Sequence, residues 1–293
     1  MKTSLILSAV LLCPWAAASA DDVRTSVTPV TQAESAAADK AEPADAEERE
    51  ESQQLVQEVF QTELVYPQEK GEVQVTAAVN WNEEQDGRTK EVPLSLEYGL
   101  TDAWQIEMSL TGVDRRFEGG DSSQGVGDLE VGTKYSFMNI GGRPLHAAVG
   151  VEVTLPVGDP DQGLGEGLLQ VEPFVAVGRD FPELNRMHVF GQVGLGLVRR
   201  TRGGDDEGQP AHELSVNTGL LVPVQNFRLV AELNWASNRW NHDGDETSLF
   251  VTPGVVWDLP GTWELGVGVP IGLMNEGDRY RVITQLIYEF GGH

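Results

Sequence analysis

The sequence predicts an all-β fold, an antiparallel transmembrane β-barrel of about twelve strands preceded by a disordered acidic N-terminal segment. Three observations predict it. From Gly71 to Phe290, apolar and polar residues alternate in runs close to the roughly 9–11 residues of a tilted membrane strand. The connections between runs alternate between short and long, and aromatic residues gather near the ends of the runs. Alternation by two puts neighbouring side chains on opposite faces, so each run has one greasy and one polar face. A soluble sandwich would bury the greasy face, whereas a membrane barrel turns it to lipid and encloses the other as a lumen. The loop lengths and the ring placement favour the barrel.

The clearest pair of strands lies between Gly125 and Gly158. Leu129, Val131, Thr133, Tyr135 and Phe137 share one parity; after a turn at Asn139 to Arg143, Leu145, Ala147, Val149, Val151, Val153 and Leu155 do the same. Before this hairpin come Val73 to Trp81, Val92 to Leu100 and Trp104 to Leu110. After it come runs at 169–177, 189–197, 214–222, 227–235, 249–257, 263–273 and 280–290, each with apolar residues at every second position.

Short connections read LTDA, MNIGGR, DFPELNR, PVQNF and DLPGT; the others read NEEQDGRTK, DRRFEGGDSSQG, VGDPDQGLGE, RTRGGDDEGQPAH, RWNHDGDE and MNEGDR. Outer-membrane barrels show this asymmetry, with short periplasmic turns and longer extracellular loops, and an even strand count puts both termini in the periplasm. Trp81, Trp104, Trp235, Trp257, Trp263, Tyr280 and Tyr288 fall where interfacial girdles need rings that meet both lipid and water.

Residues 1–20, MKTSLILSAVLLCPWAAASA, have the charge, apolar run and small terminal residues of a secretory signal peptide cleaved after Ala20. The single cysteine, Cys13, lies inside it, so the mature chain has neither disulfide nor thiolate chemistry. Residues 21–62 are rich in Ala and Glu and lack the apolar content of a core, which reads as a linker or tail. Within it, Leu55 and Val59 recur at helical spacing over 52–64, and a short helix there would either belong to a linker or plug or cap the barrel. The barrel itself is assigned to 65–290. The net charge of -26 opposes binding to nucleic acid or anionic surfaces. The expected partners are outer-membrane lipid, a small-molecule solute and, through the C-terminal strand, the barrel assembly machinery.

Parity also assigns the lumen. Glu97, Glu107, Glu130, Glu152, Glu172, Glu232, Glu264 and Glu289 point inward, against Lys134, Arg228 and Arg281. Charge on the lipid face costs roughly 2–4 kcal/mol for a base at mid-bilayer, which explains the bias to one parity. If the turn of the hairpin centres near Gly141, Glu130 and Glu152 are side by side at mid-height, with Glu172 near the same level on the next strand. Carboxylates this close require a counter-charge, water, a bound cation or a shared proton, and Lys134 or the arginines are the candidates on the same face. The cluster is either a structural salt-bridge and water network or a constriction that favours cations and neutral hydrogen-bonding solutes over anions.

No metal site, cofactor site or catalytic residue is assigned. The sequence has no HExxH, paired-cysteine, GxSxG or phosphate-loop motif. His146 and His188 face inward on separate strands; His212, His242 and His293 fall in loops or at the end. The segments GGDDEG (203–208) and HDGDE (242–246) are oxygen-rich but lack calcium-loop spacing and read as solvated loops.

Gly125, Gly127, Asp128, Gly132, Lys134, Tyr135 and Phe137, followed by Thr154, Leu155, Pro156, Val157, Gly158 and Asp159, resemble the outer-membrane β-barrel family labelled as transporters of the meta-pathway of phenol degradation. The resemblance extends from about Val65 to Phe290. It implies a porin-like channel for small, often aromatic, solutes in the outer membrane of a Gram-negative bacterium, and it carries over no catalytic residue. Tyr288 and Phe290 match the aromatic-x-aromatic end of outer-membrane proteins, although Gly291, Gly292 and His293 follow. The alternative is a closed barrel with a structural or interaction role and no transport.

Overall fold

The computed structural model describes residues 59–84, 87–117, 122–165, 167–200, 212–237, 247–274 and 280–292. Residues 1–20, read as a signal peptide, residues 21–58, read as part of a tail, and the segments 203–208 and 242–246 lie outside the described residues, as do His242 and His293. The strands are β1 (Glu72–Glu84), β2 (Gly87–Thr101), β3 (Trp104–Phe117), β4 (Ser122–Phe137), β5 (Leu145–Leu155), β6 (Leu168–Phe181), β7 (Met187–Arg200), β8 (Glu213–Val224), β9 (Phe227–Ser237), β10 (Thr247–Asp258), β11 (Trp263–Gly268), β12 (Ile271–Gly272) and β13 (Tyr280–Gly291).

Each strand pairs antiparallel with its neighbour, and β1 pairs with β13 from Glu72–Gly291 to Glu83–Tyr280, which closes the sheet. Strands β11 and β12 are two parts of one span. Pro270 lacks the N–H that the ladder needs, so the span predicted as continuous over 263–273 breaks at Val269 and Pro270. The backbone stays tied on both sides, because Val269 N–H donates to Pro253 and Arg281 N–H to the Pro270 carbonyl. The result is a barrel of twelve spans.

The outward face carries the predicted greasy row: Leu94, Val175, Val177 and Leu229 all expose half or more of their surface. Rings collect on the short-turn rim, where Trp263 meets Tyr288 in a tilted pair with centroids 4.4 Å apart and Phe227 stacks on Trp257 at 5.3 Å. Arginine in place of Leu94, midway along β2, is expected to lower the stability of the lipid-embedded barrel by about 2–4 kcal/mol. Reversible urea unfolding in liposomes reads this directly; an unchanged midpoint would contradict the lipid-facing assignment.

The strands on the long-loop side run further than the alternation of apolar residues indicated. NEEQDGRTK forms a ladder from Asn80–Glu91 up to Glu84–Gly87, and most of DRRFEGGDSSQG extends β3 and β4 to Arg116–Ser122. Above the membrane both faces of a hairpin meet water, so the backbone hydrogen bonds persist where the apolar signal stops. The loop read as VGDPDQGLGE turns inward instead. Gly158 N–H donates to Asp128 Oδ1 at 3.0 Å, and Leu164, 6% exposed, lies over Gly125 and Gly127. A Cβ on Gly125 would come within 2.6 Å of Leu164 Cδ1, so this position needs glycine for close approach.

The turn between β4 and β5 is built on Asn139, Gly141 and Gly142, all at positive φ. It sets a register that pairs Glu130 with Thr154 and Glu152 with Gly132. The centre therefore falls at Gly142 and not at Gly141. Glu130 is displaced by one inward step from the place beside Glu152 that the sequence suggested.

Candidate functional site

Residues 59–70 decide the form of the lumen. They do not continue the barrel, which begins at Glu72, and Val59 to Leu64 form no helix. The segment instead crosses the interior in an irregular path, with its backbone groups satisfied by wall side chains, as a buried non-regular stretch requires. Its apolar residues Val59, Leu64, Val65 and Tyr66 pack on Ala148, Ala176, Phe190, Leu221, Val230 and Val256, with Phe60 against the same cluster.

Polar anchors follow the segment around the wall. Thr62 Oγ1 donates to Glu232 Oε1 at 2.6 Å, and Gln61 N–H to the same oxygen at 3.3 Å. Glu63 N–H donates to Gln192, which starts a run of amides through Asn217 to Asn234 on β7, β8 and β9. The Glu63 carboxylate pairs with Lys134 at 2.5 Å, and the same ammonium donates to the Leu64 carbonyl at 2.8 Å. Lys134 is 2% exposed, so this cation is spent on the inserted segment. Closer to β1, Glu97 accepts from Gln68, Gln74 and Gln105 at 3.2, 2.6 and 3.0 Å.

Tyr66 forms the foot. Its hydroxyl donates to Asp180 Oδ1 at 2.6 Å and lies 3.0 Å from His188 Nδ1. Asp180 also receives His188 Nδ1 at 2.7 Å and His146 Nε2 at 2.9 Å. Asn139 N–H donates to His146 Nδ1, which leaves the His146 proton on Nε2, facing the carboxylate. Burial and the Asp180 carboxylate push the Tyr66 hydroxyl above its ordinary pKa, so it stays a donor.

Above the segment lies a cavity of about 480 Å³, floored by Val59 to Glu63 and walled by acids. A second cavity of about 460 Å³ shares Glu91, Thr111 and Glu130 with it and reaches Leu164 of the infolded loop. Among the described residues the two adjoin, and together they run as a vestibule from the infolded loop to the inserted segment. Glu152 sits directly opposite Glu172, whose oxygens take Gln170 Nε2 at 2.9 Å and Ser215 Oγ at 3.1 Å. Glu107, Glu152 and Glu63 each place one oxygen within 4.8 Å of the others, a spacing with three hard ligands for a divalent cation. Acidic groups commonly adopt such spacing without an ion, and the Lys134 ammonium beside Glu63 already supplies positive charge.

The sequence-derived site residues thus separate into three places. Glu130, Glu152, Glu172 and Glu107 line the vestibule, while Glu97, Glu232 and Lys134 hold the inserted segment. Arg228 does not reach the acids of the vestibule: it pairs with Asp258 and, at 2.5 Å, with Glu264 near the short-turn rim. The Arg281 guanidinium lies 4.9 Å from the Phe250 ring centroid. Their inward parity was readable, but their height along the strand was not. Glu63, Tyr66 and Asp180 escaped the sequence reading altogether. The signal was the pair of apolar clusters Val59–Phe60 and Leu64–Tyr66 around Gln61, Thr62 and Glu63, which parity could not assign to any strand.

Comparison with known proteins supports this architecture. A family model described as "Putative MetA-pathway of phenol degradation" matches residues 106–290. No curated protein matches the sequence. Among solved structures, an outer membrane channel from Pseudomonas putida F1 is similar at TM-score 0.60 and 14% identity, over 77% of this chain and 98% of that one. The NanC porin is similar at TM-score 0.52 and 9% identity, over 73% of this chain and 98% of its own. At these identities the likeness is one of fold.

Proposed function

The chain belongs to the family described by the MetA-pathway of phenol degradation, and from that membership we propose that it is a passive outer-membrane channel for small solutes, aromatic ones among them. The observation that carries the reading is the acid-lined vestibule that reaches from the infolded loop to a segment outside the strand ladder, whose movement would leave the barrel intact. In this reading Glu130, Glu152 and Glu172 set a preference for cations and neutral solutes over anions. Residues 59–66 close the path, and residues 67–71, tied to β2 through the Gly71 to Gly99 hydrogen bond, act as the tether. Both termini face the periplasm, residues 1–20 direct export, and the C-terminal strand is the part read by the assembly machinery. The barrel carries no catalytic role.

A second reading has its own support. The inserted segment is held by ion-paired and buried hydrogen bonds, as a permanently closed structural barrel would require.

Single-channel recording of the refolded mature protein across a salt gradient separates the two. A channel is expected to give cation-selective current that loses its preference when Glu130→Gln and Glu152→Gln are combined. Absence of current in the wild type and in a chain lacking residues 21–66 would favour the closed barrel.

A further inference from the structure

Phe60 occupies a socket in the wall. Gly254 on β10 and Gly268 on β11 are cross-strand partners on the inward face. A Cβ on Gly268 would come within 2.6 Å of Phe60 Cγ, and one on Gly254 would overlap the ring. Val230 and Val256, 4% and 0% exposed, border the socket. Elsewhere in this barrel, rings that cover glycines belong to adjacent strands, as Phe174 does over Gly150 and Phe190 over Gly219. Those rings are fixed by register. The Phe60 ring comes from a segment with no ladder of its own, so its socket is one that can be vacated.

A polar group stands beside it. Thr252 pairs with Glu232 and Gly254 with Val230, which makes Glu232 the diagonal neighbour of the socket on the same face. Glu232 is 2% exposed; Oε1 accepts the Thr62 hydroxyl, while Oε2 is buried with no hydrogen-bond partner among the described residues. A buried carboxylate oxygen without a donor is costly to leave so. Ring socket and open acceptor together define a compact recognition site.

We propose that Phe60, with the Thr62 hydroxyl, is a built-in stand-in for solute: the Gly254–Gly268 socket and Glu232 form a wall subsite for a small aromatic ring bearing a hydrogen-bond donor, and solute and inserted segment compete for it. The inference rests on the channel reading for its solute and adds where the solute binds and how its binding favours the open lumen. Ligand that binds only the vacated wall shifts the segment outward by its differential affinity. Its apparent affinity is lowered by the fraction of time the socket is vacant.

The test is calorimetric titration of the full mature barrel with phenol, with benzene and cyclohexanol as partial probes. Phe60→Ala is expected to tighten phenol binding by about tenfold or more, because the competitor is gone. On that background Gly254→Val abolishes binding by filling the socket, with Gly268→Ala in its place if that variant does not fold. Glu232→Met also releases Thr62 from the wall, so its readout is the ratio of the two ligands: it lowers the affinity for phenol relative to that for benzene. Equal phenol affinity in wild type and Phe60→Ala, or binding indifferent to the socket variants, would overturn the proposal. Bilayer recordings on the same proteins keep the two readings apart. Current without phenol binding removes the subsite and keeps the channel, whereas phenol binding without current keeps the subsite and removes the channel.

Discussion

Methionine in place of Lys134 is expected to turn a closed barrel into one that conducts persistently. Lys134 is 2% exposed and holds both the Glu63 carboxylate, at 2.5 Å, and the Leu64 carbonyl, at 2.8 Å. Without the ammonium, the Glu63 carboxylate is left beside those of Glu107 and Glu152, with oxygens within 4.8 Å of one another. Breaking a buried ion pair from one side costs about 3–5 kcal/mol, since the remaining charge keeps its desolvation penalty and loses its partner. The wall strand cannot escape that cost, but the inserted segment can, by withdrawing Glu63 into the water of the vestibule. The penalty therefore falls on the closed state, and the balance between closed and open shifts by about two to four orders of magnitude. Open-state dwell times in single-channel recordings measure the shift.

Glu63→Gln supplies the control. It removes one of the crowded acids, while Lys134 keeps the Leu64 carbonyl as an acceptor and the carboxylates of Glu97 and Glu107 nearby, so the cation left behind is partly compensated. Its effect on dwell time is expected to be at least about tenfold smaller than that of Lys134→Met. Equal effects from the two substitutions would mean that the contact matters as a hydrogen bond and not through its charge.

The barrel was legible because its causes are periodic. Lipid on one side and water on the other impose a two-residue alternation, and Leu94, Val175 and Leu229 fall where that alternation places them. Register was less legible, because it depends on turn geometry at Asn139, Gly141 and Gly142, where one residue more or less in the turn moves every pair. Hence the sequence suggested one level for Glu130 and Glu152, whereas the register pairs Glu130 with Thr154 and Glu152 with Gly132. The motif of Gly125, Gly127, Asp128 and Gly158 was visible as a pattern, and its cause was not. It seats Leu164 and the infolded loop, a contact between positions some thirty residues apart with no local period. The inserted segment was the least legible part. Glu63 and Tyr66 have meaning only once Lys134 and Asp180 stand in front of them, and no spacing rule joins residues that far apart in the chain.

Asparagine at Asp180 is expected to free the foot of the inserted segment. The carboxylate accepts from Tyr66 and His188 on one oxygen and from His146 on the other. An amide offers one acceptor oxygen and presents two N–H donors in place of the second, so at least one of the three donors then meets another donor. His146 cannot adapt by moving its proton, because Asn139 N–H already takes Nδ1. His188 is 0% exposed, so solvent has no open route to replace its lost contact. Each donor left unsatisfied costs about 1–3 kcal/mol, and losing the charge weakens the bonds that remain. Strand β6 keeps its place, since Asp180 N–H still donates to the Pro144 carbonyl. The cost therefore appears in Tyr66 and its neighbours. Hydrogen exchange of the amides from Thr62 to Gln68 should accelerate by about tenfold to a hundredfold while the strands stay protected. Tyr66→Phe, which removes one donor and leaves the carboxylate with both histidines, should accelerate the same amides by several-fold at most. If the phenylalanine variant exchanged as fast as the asparagine variant, the tyrosine hydroxyl alone would hold the foot, and the histidines would only frame it.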